Sequence, residues 1–367
     1  MSVTMLILPR GSVVKKRELP TILIIAICWT LADFFLFILR MTADAVAAKY
    51  VDPASNTTAA ILIREVNVLL VSLIIGFLLV SVLRRFLQTS SLWINLLFKT
   101  LILAIAAILM NFFIQLSYET LVRHRSLGDA VNHFFENTFR PDWLLPKLGE
   151  WIILFLLTQL ALEVNEKYSR GVFLQIIAGK YLQPKIEERI VLFVDLRNST
   201  PIAEKLGNEE YFKFIRDFIF CISAGIMEHG GHIYQYVGDE IVAWWPGTKK
   251  NAKKAVQSLI ESRKILNKNS ENFKRNYDIL PEYKAGMHIG DVTVGQVGIA
   301  KKELVMSGDT INTAARIRSA CTELNQKFLV SKEMTELLQL PEWQGETMGL
   351  IELKGKNETI ELFALKI

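Results

Sequence analysis

Four apolar runs crowd into the first 164 residues: Thr21 to Leu39, Val66 to Leu83, roughly Thr100 to Leu116, and Leu148 to Val164. Each is close to the length a helix needs to cross a bilayer. A segment in hydrocarbon has to satisfy its backbone polar groups internally, so runs of this kind fold as helices. Hydrophobic residues make up 51% of the chain, which agrees with a membrane segment. The first run follows Lys15-Lys16-Arg17, as a signal peptide would, but no convincing small-residue cleavage site follows it and more apolar runs come after. The expected N-terminal architecture is therefore an all-α transmembrane bundle of about four helices.

Basic residues orient this bundle. Lys15, Lys16 and Arg17, then Arg84, Arg85 and Lys99, then Lys167 and Arg170 all fall on one side if the four runs cross in turn. The positive-inside tendency assigns that side to the cytoplasm. Arg123, Arg125, Arg140 and Lys147 in the 117–147 loop weaken the bias without reversing it. The formal charge of +5 is modest and scattered, which speaks against nucleic acid as a partner. Cys28, Cys221 and Cys321 are odd in number and far apart, so neither a disulfide framework nor a zinc site is expected, only buried thiols.

Within the runs, Asp33 is either a functional acid at membrane depth or the ion-pair partner of Arg64. Asn67, Asn111, Gln115 and Gln159 are candidates for hydrogen bonds between helices. His124 and His133 lack a ligand spacing and read as solvated loop residues. The expected organisation is an N-terminal tail (1–18), a membrane domain (19–164), a connector (165–186) and a second domain (187–367). Apolar positions 168, 172, 173, 176, 177 and 181 give the connector a helical period. It is either a helix running on from the bilayer and paired with its copy in a dimer, or a surface helix on its own domain.

From residue 187 the pattern changes. Arg189-Ile-Val-Leu-Phe-Val-Asp195 is an apolar strand that stops on a carboxylate. Helices from Thr200 to Leu206 and from Glu209 to Met227 follow, broken at Gly207. Next comes a hairpin turning at Gly238-Asp239, then a helix from Lys249 to about Phe273. Tyr283 to Gly298 reads as two strands around a glycine turn, and 304–306 leads into a helix carrying Asn312 and Arg316. Three more strands, at 328–330, 348–353 and 359–364, complete a mixed, partly antiparallel sheet.

Asp195 ends a strand and Asp239 sits at a hairpin tip, so one rim of a sheet can hold both. Two carboxylates suit Mg²⁺, which keeps several waters and takes further ligands from substrate phosphates. The backbone amides of Leu196, Arg197, Asn198 and Ser199, running into a helix start at Thr200, are candidates for cradling phosphate oxygens.

Five blocks now stand in order: Phe193-Val-Asp-Leu-Arg-Asn-Ser-Thr200, Tyr236-Val-Gly-Asp-Glu240, Gly286-Met-His-Ile-Gly290, Ser307-Gly-Asp-Thr-Ile-Asn-Thr-Ala-Ala-Arg316 and Glu352-Leu-Lys-Gly-Lys356. Together they resemble the catalytic domain of the class III nucleotidyl cyclases, over roughly residues 187–366. The membrane half more loosely resembles the four-span module of some bacterial cyclases. The resemblance implies a ferredoxin-like α/β domain, a head-to-tail homodimer with sites shared between subunits, and a bacterial inner-membrane location.

It also implies residue roles. Asp195 and Asp239, with Leu196 beside them, would bind two Mg²⁺ or Mn²⁺ per site. Asn312 of the partner would orient the ribose and Arg316 would stabilise charge at the α-phosphoryl group; four apart on one helix, they share a face. Lys354 or Lys356 would hold the terminal phosphates. The implied reaction converts ATP to 3′,5′-cyclic AMP and pyrophosphate, with guanylate or dual-purine activity as the alternative and a catalytically silent nucleotide receptor as a second. At the base-reading positions the chain departs from the family. Adenylate cyclases usually have Lys, then Asp or Thr, and guanylate cyclases Glu and Cys, where this chain has Gln235 and Val305. The hairpin superficially resembles that of diguanylate cyclases, which lack the Asn-x-x-x-Arg helix.

Overall fold

The computed structural model describes residues 13–43, 57–83, 92–138, 141–167, 179–299, 303–339, 345–352 and 359–367. The chain divides into two compact units between Val164 and Asn165.

The N-terminal unit is helical: α1 (Val13–Ala43), α2 (Thr58–Phe77), α3 (Leu92–Ser117), α4 (Leu127–Thr138) and α5 (Pro141–Lys167). Wide π turns extend α2 over Leu78–Leu83 and α3 over Tyr118–Val122. Three stretches among the described residues are long and apolar enough to cross a membrane: Glu18–Leu39, Thr58–Leu83 and Leu97–Val122. The fourth expected span falls in α5, whose described apolar stretch, Gly149–Leu162, is shorter. Ile25, Trp29, Val68, Leu103, Met110 and Phe155 form the bundle's core. Trp29 packs on Phe155 with ring centroids 4.7 Å apart and donates from Nε1 to Thr158 Oγ1 at 2.9 Å.

Asp33 takes the ion-pair role, its Oδ2 lying 2.8 Å from Arg64 Nε. Asn67 accepts from Ser117 on another helix, as expected, whereas Asn111, among the described residues, donates to Ala107 O of its own helix. The amide nitrogen of Gln159 is buried without a hydrogen-bond partner among the described residues. His124 is exposed, but His133 is not a solvated loop residue. It lies on α4, with Nδ1 3.1 Å from Gln115 Nε2 and 3.3 Å from the buried carboxylate of Glu119. A short amphipathic helix formed where a loop was expected, and this brought the ring against α3. Arg84, Arg85 and most of the connector lie outside the described residues, so neither reading of the connector gains from the structure.

In the C-terminal unit, β1 (Lys185–Leu196), β2 (His232–Val237), β3 (Glu240–Pro246), β4 (Tyr283–Val297), β6 (Phe328–Ser331), β7 (Gly345–Glu352) and β8 (Thr359–Leu365) join in the order β2-β3-β1-β4-β6-β8-β7. Strand β5 (Glu303–Ser307) hangs from the far end of β4. Every pairing is antiparallel except β4 with β6, where a helical crossover returns the chain in the same direction. The helices are α6 (Ser199–Glu228), α7 (Lys249–Lys268), α8 (Ser270–Tyr277), α9 (Asp309–Glu323) and α10 (Lys332–Leu338). Gly207 interrupts α6 where the sequence puts a break.

Alternation along β1 sorts the core. Ile190, Leu192 and Val194 pack against Phe214 and Phe218 of α6 and Leu259 of α7. Val191 and Phe193 face the opposite side, with Tyr181, Met306 and Ala314 of α9. Asp195 continues that second row. Cys221 and Cys321 are buried, and burial pushes both thiols up to about 12; Cys28, contrary to expectation, is exposed on α1.

One strand expectation fails. Tyr283–Val297 is a single unbroken strand, and its glycines do not turn the chain. They make room for α9: a Cβ on Gly286 would lie 2.2 Å from the Arg318 backbone nitrogen, and one on Gly290 would lie 2.7 Å from Thr310 Oγ1. We expect Gly286→Ala to push α9 off the sheet and destabilise the unit by ~1–3 kcal/mol, as overpacking does. Thermal melting of the full chain in detergent checks this.

Candidate active site

The β1–β3 register sets Asp195 opposite Glu240, and the β1–β4 register sets it opposite Lys284. The β2–β3 connection is the two-residue turn Gly238-Asp239, with Gly238 at φ +61°. A tight hairpin needs that left-handed conformation at its first central position, and glycine adopts it without a Cβ clash. The turn fixes Asp239 one residue beyond Glu240, on the rim that Asp195 occupies. Three carboxylates therefore meet at one edge of the sheet.

Two cations answer them. Arg318 of α9 donates from one terminal nitrogen to Asp195 Oδ2 at 3.2 Å and forms an ion pair through the other with Glu240 Oε2. Lys284 Nζ lies 3.2 Å from the same Asp195 oxygen. Asp239 Oδ2 is buried without a hydrogen-bond partner among the described residues, and so is Arg318 Nε. Burial pushes the Asp195 carboxyl above its ordinary range; Arg318 and Lys284 pull it back, and the Asp239 charge pushes it up again. Glu240 is raised in the same way, by burial first. Beside them the Tyr211 hydroxyl, hydrogen-bonded to Ser199, is held up by burial and by the Asp239 charge. It stays protonated at neutral pH and available as a donor.

Asn198 adopts a left-handed conformation (φ 56°, ψ 37°) and turns the chain from β1 into α6. The start of that helix, Ser199 and Thr200, thus adjoins the carboxylates, with first-turn amides that have no partner inside the helix. The Arg197 amide does not join them, because it donates to Glu282 O at 2.8 Å, and its guanidinium also turns to Glu282.

Residues 182–366, half of the chain, match the family described as Adenylate and Guanylate cyclase catalytic domain. The chain belongs to that cyclase family. Among curated relatives, adenylate cyclase 2 of Rhizobium meliloti (strain 1021) is 29% identical over 233 residues, covering 62% of this chain and 64% of that protein. The adenylate cyclase of Anabaena cylindrica is 26% identical over 220 residues, covering 56% and 43%. The chain thus spans less than two thirds of either relative. A solved bacterial light-regulated adenylyl cyclase shares the fold at 20% identity and a TM-score of 0.51, over 58% of this chain and 63% of that one.

Within the cyclase domain, Asn312 is exposed and Arg316 half-buried on α9. Arg318 reaches this chain's own Asp195. Arg316 lies two residues earlier, about 200° around a helix of 3.6 residues per turn. The Asn312–Arg316 face therefore points away from the carboxylates of its own chain. Gln235 is exposed on the edge strand β2, and Val305 is half-buried opposite Gly295 on β5. Their neighbours tie the two strands together: the Met306 amide donates to the Tyr234 hydroxyl at 3.1 Å. Lys354 and Lys356 lie outside the described residues. Sequence reasoning missed Lys284, Tyr211 and Arg318 as members of the site. Arg318 stands two places from Arg316 in a quoted block's helix, yet its partner is 123 residues distant and only the register of β1 against α9 reveals it.

Proposed function

We propose that this chain is a membrane-tethered adenylate cyclase, converting ATP to 3′,5′-cyclic AMP and pyrophosphate at sites shared between two copies. The observation that carries the reading is the rim where Asp195 and Asp239 converge, with a buried Asp239 oxygen left over. No group of three or more His, Cys, Asp or Glu assembles a metal cage among the described residues. Two carboxylates nonetheless fit Mg²⁺ or Mn²⁺, which bring water and phosphate oxygens of their own. Asp195, Asp239 and the adjoining Leu196 would hold two such ions, which would offset charge on the attacking and leaving oxygens.

The chain's own groups do the positioning. The start of α6, at Asn198, Ser199 and Thr200, offers amides to phosphate oxygens, and Tyr211 offers a hydroxyl. From the partner, Asn312 orients the ribose and Arg316 meets the charge that builds on the α-phosphoryl group. Lys354 or Lys356 grips the terminal phosphates. The ribose O3′ bonds to the α-phosphorus and gives up its proton to water, while the bond from that phosphorus to the bridging oxygen breaks and pyrophosphate leaves with the electron pair. What supports sharing is α9 itself, which turns Arg318 inward and the Asn312–Arg316 face outward. The spacing of basic residues supports a cytoplasmic side for the catalytic domain, and the inner-membrane location rests on the family resemblance.

ATP is the substrate proposed because the relatives named above are adenylate cyclases. GTP remains a second reading on one observation: Gln235 both donates and accepts, while Val305 offers only an apolar wall. Product analysis with ATP and GTP side by side, with Mn²⁺, tests both; absence of either cyclic nucleotide in detergent and in lipid removes the enzyme reading. Gln235→Lys combined with Val305→Asp should raise the ATP/GTP ratio of kcat/KM about tenfold or more, since a polar pair discriminates where an apolar wall does not. An unchanged ratio would mean that the base is read elsewhere.

A further inference from the structure

Both partners of Arg318 are carboxylates of the rim itself. One terminal nitrogen is on Asp195, the other on Glu240, and Nε is buried without a hydrogen-bond partner among the described residues. Lys284 differs: its ammonium also donates to Thr322 Oγ1 at 2.9 Å, which anchors it beside Asp195 whatever else occupies the rim. Arg318 is thus the long, incompletely satisfied cation of the pair, and it reaches the carboxylates from a helix rather than from the sheet.

The charges at the rim nearly cancel. Asp195, Asp239 and Glu240 face Arg318 and Lys284, three negative groups against two positive ones. A divalent cation arriving at Asp195 meets a guanidinium already bonded to that carboxylate and repelling the newcomer. We propose that Arg318 is a positioning residue and an intramolecular competitor for the metal, setting how tightly the Asp195–Asp239 rim takes a divalent cation. This rests on the reading of those aspartates as the metal ligands. The competition acts within one chain, whereas Asn312 and Arg316 act from the partner.

The test is Mn²⁺ binding to the full chain in detergent without nucleotide, followed by the electron paramagnetic resonance signal of free Mn²⁺. Removing one full charge a few ångströms from the ion should tighten binding about tenfold in Arg318→Gln and Arg318→Met. Either neutral variant serves if the other does not fold. Arg318→Lys should return the affinity toward that of the unsubstituted chain, a rescue that a purely structural role would not produce. In turnover the neutral variants should reach half-maximal rate at proportionally lower Mn²⁺. Folded neutral variants with unchanged or weaker Mn²⁺ binding overturn the competition. If instead the unsubstituted chain and Asp239→Ala bind Mn²⁺ equally well, the metal reading of the rim fails, whatever Arg318 does.

Discussion

Asp239→Ala should lower cyclic nucleotide formation by about a thousandfold or more, while the protein melts at the same temperature or slightly higher. The first part follows from what the residue supplies. Its carboxylate stands at a two-residue turn beside Asp195, and groups that stabilise developing charge in a phosphoryl transfer are worth factors of this size. The second part follows from what it lacks. Asp239 Oδ2 is buried and makes no hydrogen bond among the described residues, so its removal breaks no hydrogen bond at that atom. It also relieves repulsion among three carboxylates, two of which burial already pushes toward the protonated form. Rate assays beside thermal melting check both halves. A variant that loses activity only because it has unfolded would show it in the melt, and near-normal turnover would remove Asp239 from the metal site.

The second large effect is a recovery. Asp195→Ala and Arg316→Ala chains should each be nearly inactive alone, yet mixed in equal amounts they should regain about a quarter of the unsubstituted rate. Half of randomly assorted dimers are mixed, and each carries one intact site out of two. The expectation stands on helix geometry: the Arg318 side of α9 meets the chain's own Asp195, so the Arg316 side is left for another copy. Arg318 supplies the control. Mixing Asp195→Ala with Arg318→Gln should leave every surviving Asp195 without its own Arg318, so the altered metal dependence persists. Verified mixed dimers without recovery in the first pairing would contradict shared sites.

Much of the fold was legible because period and length are local properties. The apolar runs announced helices, the break at Gly207 fell where the sequence put it, and the Gly238-Asp239 hairpin formed at its dipeptide. Misreadings came where a residue answers to a distant neighbour. Gly286 and Gly290 look like turn formers in isolation, but they lie inside a continuous strand because α9 needs the space a Cβ would fill. His133 looked solvated until α4 carried it to Gln115 and Glu119.

The site divides along the same line. By itself the sequence determined that Asp195 ends a strand and Asp239 tips a hairpin, because strand ends and tight turns are written in a few adjacent residues. It also placed Asn312 and Arg316 on one helical face, for the same reason. Only the tertiary structure decided that Arg318 and Lys284 hold Asp195, that the Arg197 amide belongs to Glu282, and that the Asn312–Arg316 face turns away from its own carboxylates. Each of these depends on strand register and on how closely a helix packs to a sheet. Those quantities are set by contacts between residues 85 to 123 positions apart, which no local pattern records.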